Sequence, residues 1–143
     1  MPQRNSMKQY SYLGTLTTGA KSITYLPSLR IDILGEKSHI RQMAMIDSGS
    51  SITLMDFEIA EFLKVDIAKC KKVNLAGITG RSDGYESTVT IVLDGLKEKL
   101  SLPVIFTKEL NTGILLGQIG FFDKFTVIFE KKANISKLER NKN

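Results

Sequence analysis

Apolar positions alternate with polar ones along most of the chain, and that alternation predicts strands. In ITYLPSLRIDIL (23–34), Leu29, Ile31 and Ile33 fall on one face and Gly35 ends the run. A period of two is the strand period, because successive side chains point to opposite faces. After the polar GEKSH, residues 40–46 set Ile40, Gln42, Ala44 and Ile46 on one face, with Arg41, Met43 and Met45 on the other. This predicts a second strand returning along the first through a polar hairpin. Further on, Val89, Ile91 and Leu93 alternate up to Asp94-Gly95, a dipeptide suited to tight hairpins because both residues tolerate positive φ. The return run places Leu96, Leu100, Leu102, Val104 and Phe106 on one face. The last apolar block, GILLGQIGFFDKFTVIFE (113–130), holds two glycine-marked turns and a strand through Phe125, Val127 and Phe129. Its four phenylalanines, Phe121, Phe122, Phe125 and Phe129, are expected in the core.

One segment breaks the period. In DFEIAEFLKV the pairs Phe57/Ala60, Ile59/Phe62 and Ile59/Leu63 are three or four residues apart, and Asp56 precedes them as an N-cap. A short helix is predicted there. Many short strands with a single clear helix make a mostly β protein. Residues 1–22 are polar and rich in Ser, Thr and Gly without sustained periodicity, so a flexible arm is expected. The domain is expected over 23–130, followed by a basic, disordered tail over 131–143.

Charge looks informative until it is located. The chain of 143 residues carries 20 Lys and Arg against 15 Asp and Glu, a formal net charge of +5. Such an excess points towards acidic partners, nucleic acid among them. Five of the basic groups, however, are Lys131, Lys132, Lys137, Arg140 and Lys142, beside one acid, Glu139. Without them fifteen basic and fourteen acidic groups remain, and the body of the chain is nearly neutral. No basic run is interleaved with aromatic residues, so nucleic acid is not an expected partner. No apolar run reaches the roughly 18–20 residues of a membrane span, and the first residues form no apolar leader block. A cytoplasmic protein without a membrane partner is expected.

The residue inventory narrows the chemistry. Cys70 and His39 are the only cysteine and histidine, which excludes an internal disulfide and the usual zinc ligand sets; no metal and no cofactor is expected. His39 lies in the polar stretch GEKSHIRQ and reads as a surface residue. Catalysis, where present, must rest on carboxylates. Asp47-Ser48-Gly49 stands out because an apolar strand leads into it and the apolar ITLM follows. Asp83-Gly84 lies in a polar loop and Asp94-Gly95 in a hairpin turn, so neither shares that setting.

Three segments in order resemble the retropepsin-like aspartic proteases, and their small bacterial members more than the viral enzymes. AMIDSGSSITLM (44–55) resembles the strand leading to D-[ST]-G, LAGITG (75–80) the glycine-rich flap, and GILLGQIGFFDKFTVIFE the block that closes the fold. The resemblance spans about residues 25–130. It implies a closed β-barrel with one or two short helices, each chain supplying half of a dimeric site. Asp47 would be the catalytic carboxylate, supported by Ser48, Gly49 and Ser50. The flap residues Gly77, Ile78, Thr79 and Gly80, with Leu115, would contact a polypeptide substrate, while Leu116 faces the core.

The implied activity is peptide-bond hydrolysis by a water set between two carboxylates sharing one proton. Since the chain offers one such aspartate, the second must come from another copy, in a homodimer. Retroviral enzymes carry an Asp–Arg pair where this chain has Ser51 and Gln118, so a neutral pair lying close together is expected. Ser50 replaces their alanine, and its hydroxyl is expected to donate to Asp47 and lower the activity optimum. A catalytically silent binding or assembly module of the same fold is the alternative.

Overall fold

A computed structural model describes residues 7–16, 19, 22–77, 80–108, 110 and 112–142. In chain order its elements are β1 (Lys8–Ser11), β2 (Leu13–Leu16), β3 (Ile23–Leu26), β4 (Ser28–Leu34), β5 (His39–Ile46) and β6 (Thr53–Asp56). Helix α1 (Phe57–Phe62) follows, then β7 (Lys71–Gly77), β8 (Gly80–Leu93), β9 (Lys99–Thr107) and β10 (Ile114–Leu116). Helix α2 (Phe121–Lys124), β11 (Phe125–Glu130) and β12 (Ile135–Arg140) complete the list.

Six strands close on themselves in the order β4-β5-β10-β6-β9-β8, with β8 returning to pair with β4. The alternation read from the sequence is the inward face of this barrel. Leu29, Ile31 and Ile33 from β4, Ala44 and Ile46 from β5, and Val89, Ile91 and Leu93 from β8 are all buried. Leu100, Leu102, Val104 and Phe106 from β9 and Ile114 and Leu116 from β10 meet them in one apolar cluster. Burying an aliphatic or phenylalanine side chain fully is worth about 1.5–3 kcal/mol, which makes this cluster the main stabilising term. Helix α1 is capped as expected: the Asp56 carboxylate accepts from the Glu58 amide at 2.9 Å, and Ile59 and Ala60 are buried.

The strand β8 is long because it serves two partners. Its second half lies in the barrel, while its first half pairs with β7 from Lys71↔Glu86 to Gly77↔Gly80. The two roles meet at Gly84, opposite both Val73 and Thr107. A Cβ at Gly84 would lie 2.5 Å from Ile105 Cγ2, so only glycine lets the three strands run this close.

Both ends of the chain differ from expectation. Residues 8–11 are not a loose arm, because β1 pairs antiparallel with β12, Lys8 opposite Leu138. The supposed disordered tail contains β12 itself, flanked by β1 and β11 in a three-stranded sheet. Its pattern, ISKLER, hides the alternation because the inward residues are Ser136 and Leu138, and only one of these is apolar. Two of its basic side chains are engaged with neighbouring strands and loops. Lys137 donates to Glu130 at 2.9 Å, and Arg140 holds Glu98 through Nε and Nη2 and donates from Nη1 to the Lys124 carbonyl at 3.1 Å. Phe129 departs from expectation too: on β11, an edge strand among the described residues, it is 39% exposed. Phe121 and Phe125 are buried.

Arg140 ties the terminal sheet to the loop before β9. Arg140→Ala is expected to cost about 1 kcal/mol, the pair being bidentate but partly solvated. Urea unfolding of the two chains measures it; an unchanged midpoint would show that the pair contributes nothing.

Candidate active site

Strand β5 ends at Ile46, and Asp47 begins a tight turn at one end of the barrel. Two backbone contacts fix the entry: the Ile46 amide donates to the Pro27 carbonyl and the Asp47 amide to the Leu116 carbonyl, both at 2.9 Å. The turn closes when the Ser50 amide donates to the Asp47 carbonyl at 3.2 Å. Within it the Gly49 amide donates to Asp47 Oδ1 at 2.9 Å, a local Asx-type bond that orients the carboxylate. A Cβ on Gly49 would stand 3.3 Å from the same oxygen, crowding the group that the turn presents. Ser48 and Gly49 are exposed and Asp47 is half-buried.

A second segment threads against the first. The Gln118 amide donates to the Ser50 carbonyl at 2.8 Å and the Ile119 amide to the Ser51 carbonyl at 2.9 Å. Ile52 and Ile119 form an isolated parallel bridge. Gly117 lies where these backbones approach most closely: a Cβ there would meet the Ile52 carbonyl oxygen, its carbon at 2.5 Å and the Ser50 oxygen at 2.7 Å. The Gly117 amide donates to Thr53 Oγ1 at 3.2 Å, and Thr53 is fully buried. Neither Gly117 nor Thr53 was picked out from the sequence. The available signal was a hydroxyl residue inside the apolar run ITLM, which needs an internal partner once buried.

Asp47, Ser48, Gly49, Ser50, Ser51 and Gln118 come together at the crossing. Ser51 and Gln118 have neighbouring main chains, but the Gln118 side chain turns elsewhere and donates to the Ser48 carbonyl at 2.7 Å. It braces the Asp47 turn directly, which a neutral amide can do without a charged partner. The Ser50 hydroxyl does not reach Asp47; it donates to the Ile52 carbonyl at 2.7 Å. A lowered activity optimum from that hydroxyl therefore loses its basis. Leu115, half-buried in β10, pairs with Met45 of β5 and Leu54 of β6. Gly77 and Gly80 end the β7–β8 hairpin, while Ile78 and Thr79 lie outside the described residues.

Ile119, 53% exposed, adds an apolar side chain next to the crossing. Two clefts lie elsewhere, around α1: one lined by His39, Gln42, Glu58 and Phe62, the other by Leu34, Glu61, Leu63 and Thr88. Among the described residues no cluster of three or more His, Cys, Asp or Glu side chains is placed to hold a metal ion, and no helix is long and apolar enough to cross a membrane.

No protein-family model matches the chain, and no curated protein matches it by sequence. A solved structure does match, the crystal structure of a retropepsin-like aspartic protease from Rickettsia conorii. The two chains are 18% identical, the match covers 93% of this chain and 98% of the other, and the TM-score is 0.59. With its closed six-stranded barrel, two short helices and paired crossing segments, the chain has a retropepsin-like fold.

Proposed function

We propose that the protein is an aspartic endopeptidase whose active site forms when two copies bring their Asp47 turns together on a two-fold axis. The observation that carries this reading is the presentation of one carboxylate on an exposed turn clamped by two crossing backbone segments. Such bracing is expected where a group must hold its geometry during reaction.

In the dimer two carboxylates about 3 Å apart cannot both ionise readily, and they share one proton. One accepts a proton from the attacking water while the other donates to the carbonyl oxygen of the scissile bond. The Gly49 amide holds each carboxylate in place, and the absent Cβ leaves room for the partner group. The exposed Ser48 hydroxyl would hydrogen-bond across the axis. The β7–β8 hairpin, ending at Gly77 and Gly80, would close over the polypeptide as a flap, with Leu115 at the wall of a subsite. No cofactor enters this chemistry.

The reading is tested by a cleavage screen of proteome-derived peptides, with and without an inhibitor of pepsin type. Cleavage that the inhibitor blocks supports it. Cleavage that the inhibitor leaves untouched, or none from pH 3 to 8 (a range of about five units spanning carboxylate titration), counts against it. In that assay Ser50→Ala is expected to leave the pH–rate profile in place, because its hydroxyl is spent on Ile52. Its stability should fall by about 1 kcal/mol, the net worth of one hydrogen bond. A shift of the acidic limb towards higher pH would instead show that the hydroxyl serves Asp47.

A further inference from the structure

The hairpin of β2 and β3 stands apart from both sheets. Its strands pair with each other, from Leu13↔Leu26 to Leu16↔Ile23, and with no further strand among the described residues. Two strands of four residues are marginal in water unless another surface covers them. On one face Tyr25 stands opposite Gly14, and a Cβ on Gly14 would meet Ile23 Cγ2 at 2.7 Å and Tyr25 Cε1 at 3.3 Å. Both side chains therefore lie over bare glycine backbone and form one apolar surface. Ile23 is 57% and Tyr25 44% exposed.

Composition sets the segment apart as well. Residues 13–26 contain a single charged residue, Lys21, in a chain that is 24% charged. Depletion of charge together with an exposed tyrosine beside an apolar side chain matches the composition of an interface core.

The root of the hairpin says what covers it. Strand β3 ends at Leu26, the Pro27 carbonyl accepts from the Ile46 amide at 2.9 Å, and Ser28 stands opposite Met45. The next residue after Ile46 is Asp47. The hairpin thus springs from the end of the barrel that carries the catalytic turn. Each four-residue strand extends about 13 Å from that root. A two-fold axis that joins two Asp47 residues must pass close to both roots, which leaves each hairpin within reach of the other copy.

We propose that the β2–β3 hairpin is a dimerisation arm whose Ile23–Tyr25 face packs on a second copy of this chain. The proposal rests on the reading of Asp47 as half of a shared site. It assigns a role to a segment outside the Asp47 crossing and the β7–β8 hairpin. Symmetry makes the contact occur twice, so one substitution removes two patches.

The test combines sedimentation across a dilution series with hydrogen exchange on the full chain. Ile23→Asp/Tyr25→Asp should raise the dimer dissociation constant at least about 30-fold, the effect of losing a buried aromatic anchor and its neighbour. Peptide cleavage should fall in parallel and recover at higher protein concentration. In the unsubstituted chain, amides in 13–16 and 23–26 should gain protection as concentration rises. That measurement decides the matter should the double variant fail to fold.

An unchanged dissociation constant in an active dimer, with exchange independent of concentration, overturns the arm and leaves the shared site standing. Protection that appears with a peptide inhibitor and not with concentration assigns the hairpin to substrate, and also overturns it. Cleavage by a chain that stays monomeric defeats both proposals together.

Discussion

Asp47→Asn is expected to lower kcat/KM for peptide cleavage by at least about 10³-fold while leaving folding and association intact. Asparagine keeps the size of aspartate and an oxygen able to accept from the Gly49 amide, so the turn has no cause to rearrange. What disappears is the capacity to take a proton from water. The decisive version mixes the two chains. Equal amounts exchanging at random give about one quarter unsubstituted dimers, one half mixed and one quarter doubly substituted. If both carboxylates are needed, activity per unsubstituted chain drops to about half, and it falls further as Asp47→Asn is added in excess. A chain that worked alone would show no such poisoning. Retained cleavage by Asp47→Asn alone would remove Asp47 from the chemistry altogether.

Gly117→Ala is expected to destabilise the fold by at least about 3 kcal/mol, the range reserved for buried clashes that side-chain rotation cannot relieve. The new methyl meets main-chain atoms of Ser50 and Ile52, not the mobile end of a side chain. Relief requires separating two segments joined by the Gln118 and Ile119 amides and by the Gly117 bond to Thr53. Those segments also hold the Asp47 turn, so activity should fall even where the variant still folds. For a domain of this size the loss corresponds to about 10 °C or more in Tm. Gly49→Ala is the contrasting control: its methyl would meet the Asp47 carboxylate at 3.3 Å, so activity should suffer far more than Tm. Equal melting of Gly117→Ala and the parent chain would refute the packing account of the crossing.

The barrel was legible because its strands satisfy the period-two rule with apolar residues, as Leu29, Ile31 and Ile33 or Val89, Ile91 and Leu93 do. The Asp47 turn was legible because a polar tripeptide interrupts two apolar runs. What escaped notice shares a physical cause, dependence on partners remote in sequence. Strand β12 inserts Ser136 where the pattern would ask for an apolar residue, and it becomes a strand because β1 and β11 lie on either side. The run from Ile23 to Leu34 reads as one strand but divides at Pro27, which has no amide to donate and whose carbonyl serves Ile46. The Ser50 hydroxyl had two acceptors within a few residues, and spacing alone cannot choose between the carboxylate of Asp47 and the carbonyl of Ile52. Gly117 looked like a turn residue until the opposing backbone supplied the reason for it.

The pairing of β1 with β12 sets the order in which the molecule can be finished. Lys8 faces Leu138 across 130 positions of sequence. During synthesis β1 leaves the ribosome early and has no ladder partner until β12 follows, whereas β4 and β5 can pair as soon as both have emerged. Contacts this distant slow folding more than they alter final stability, since closure entropy grows only with the logarithm of the loop. The terminal sheet should therefore be the last part of the protomer to form and the first to open.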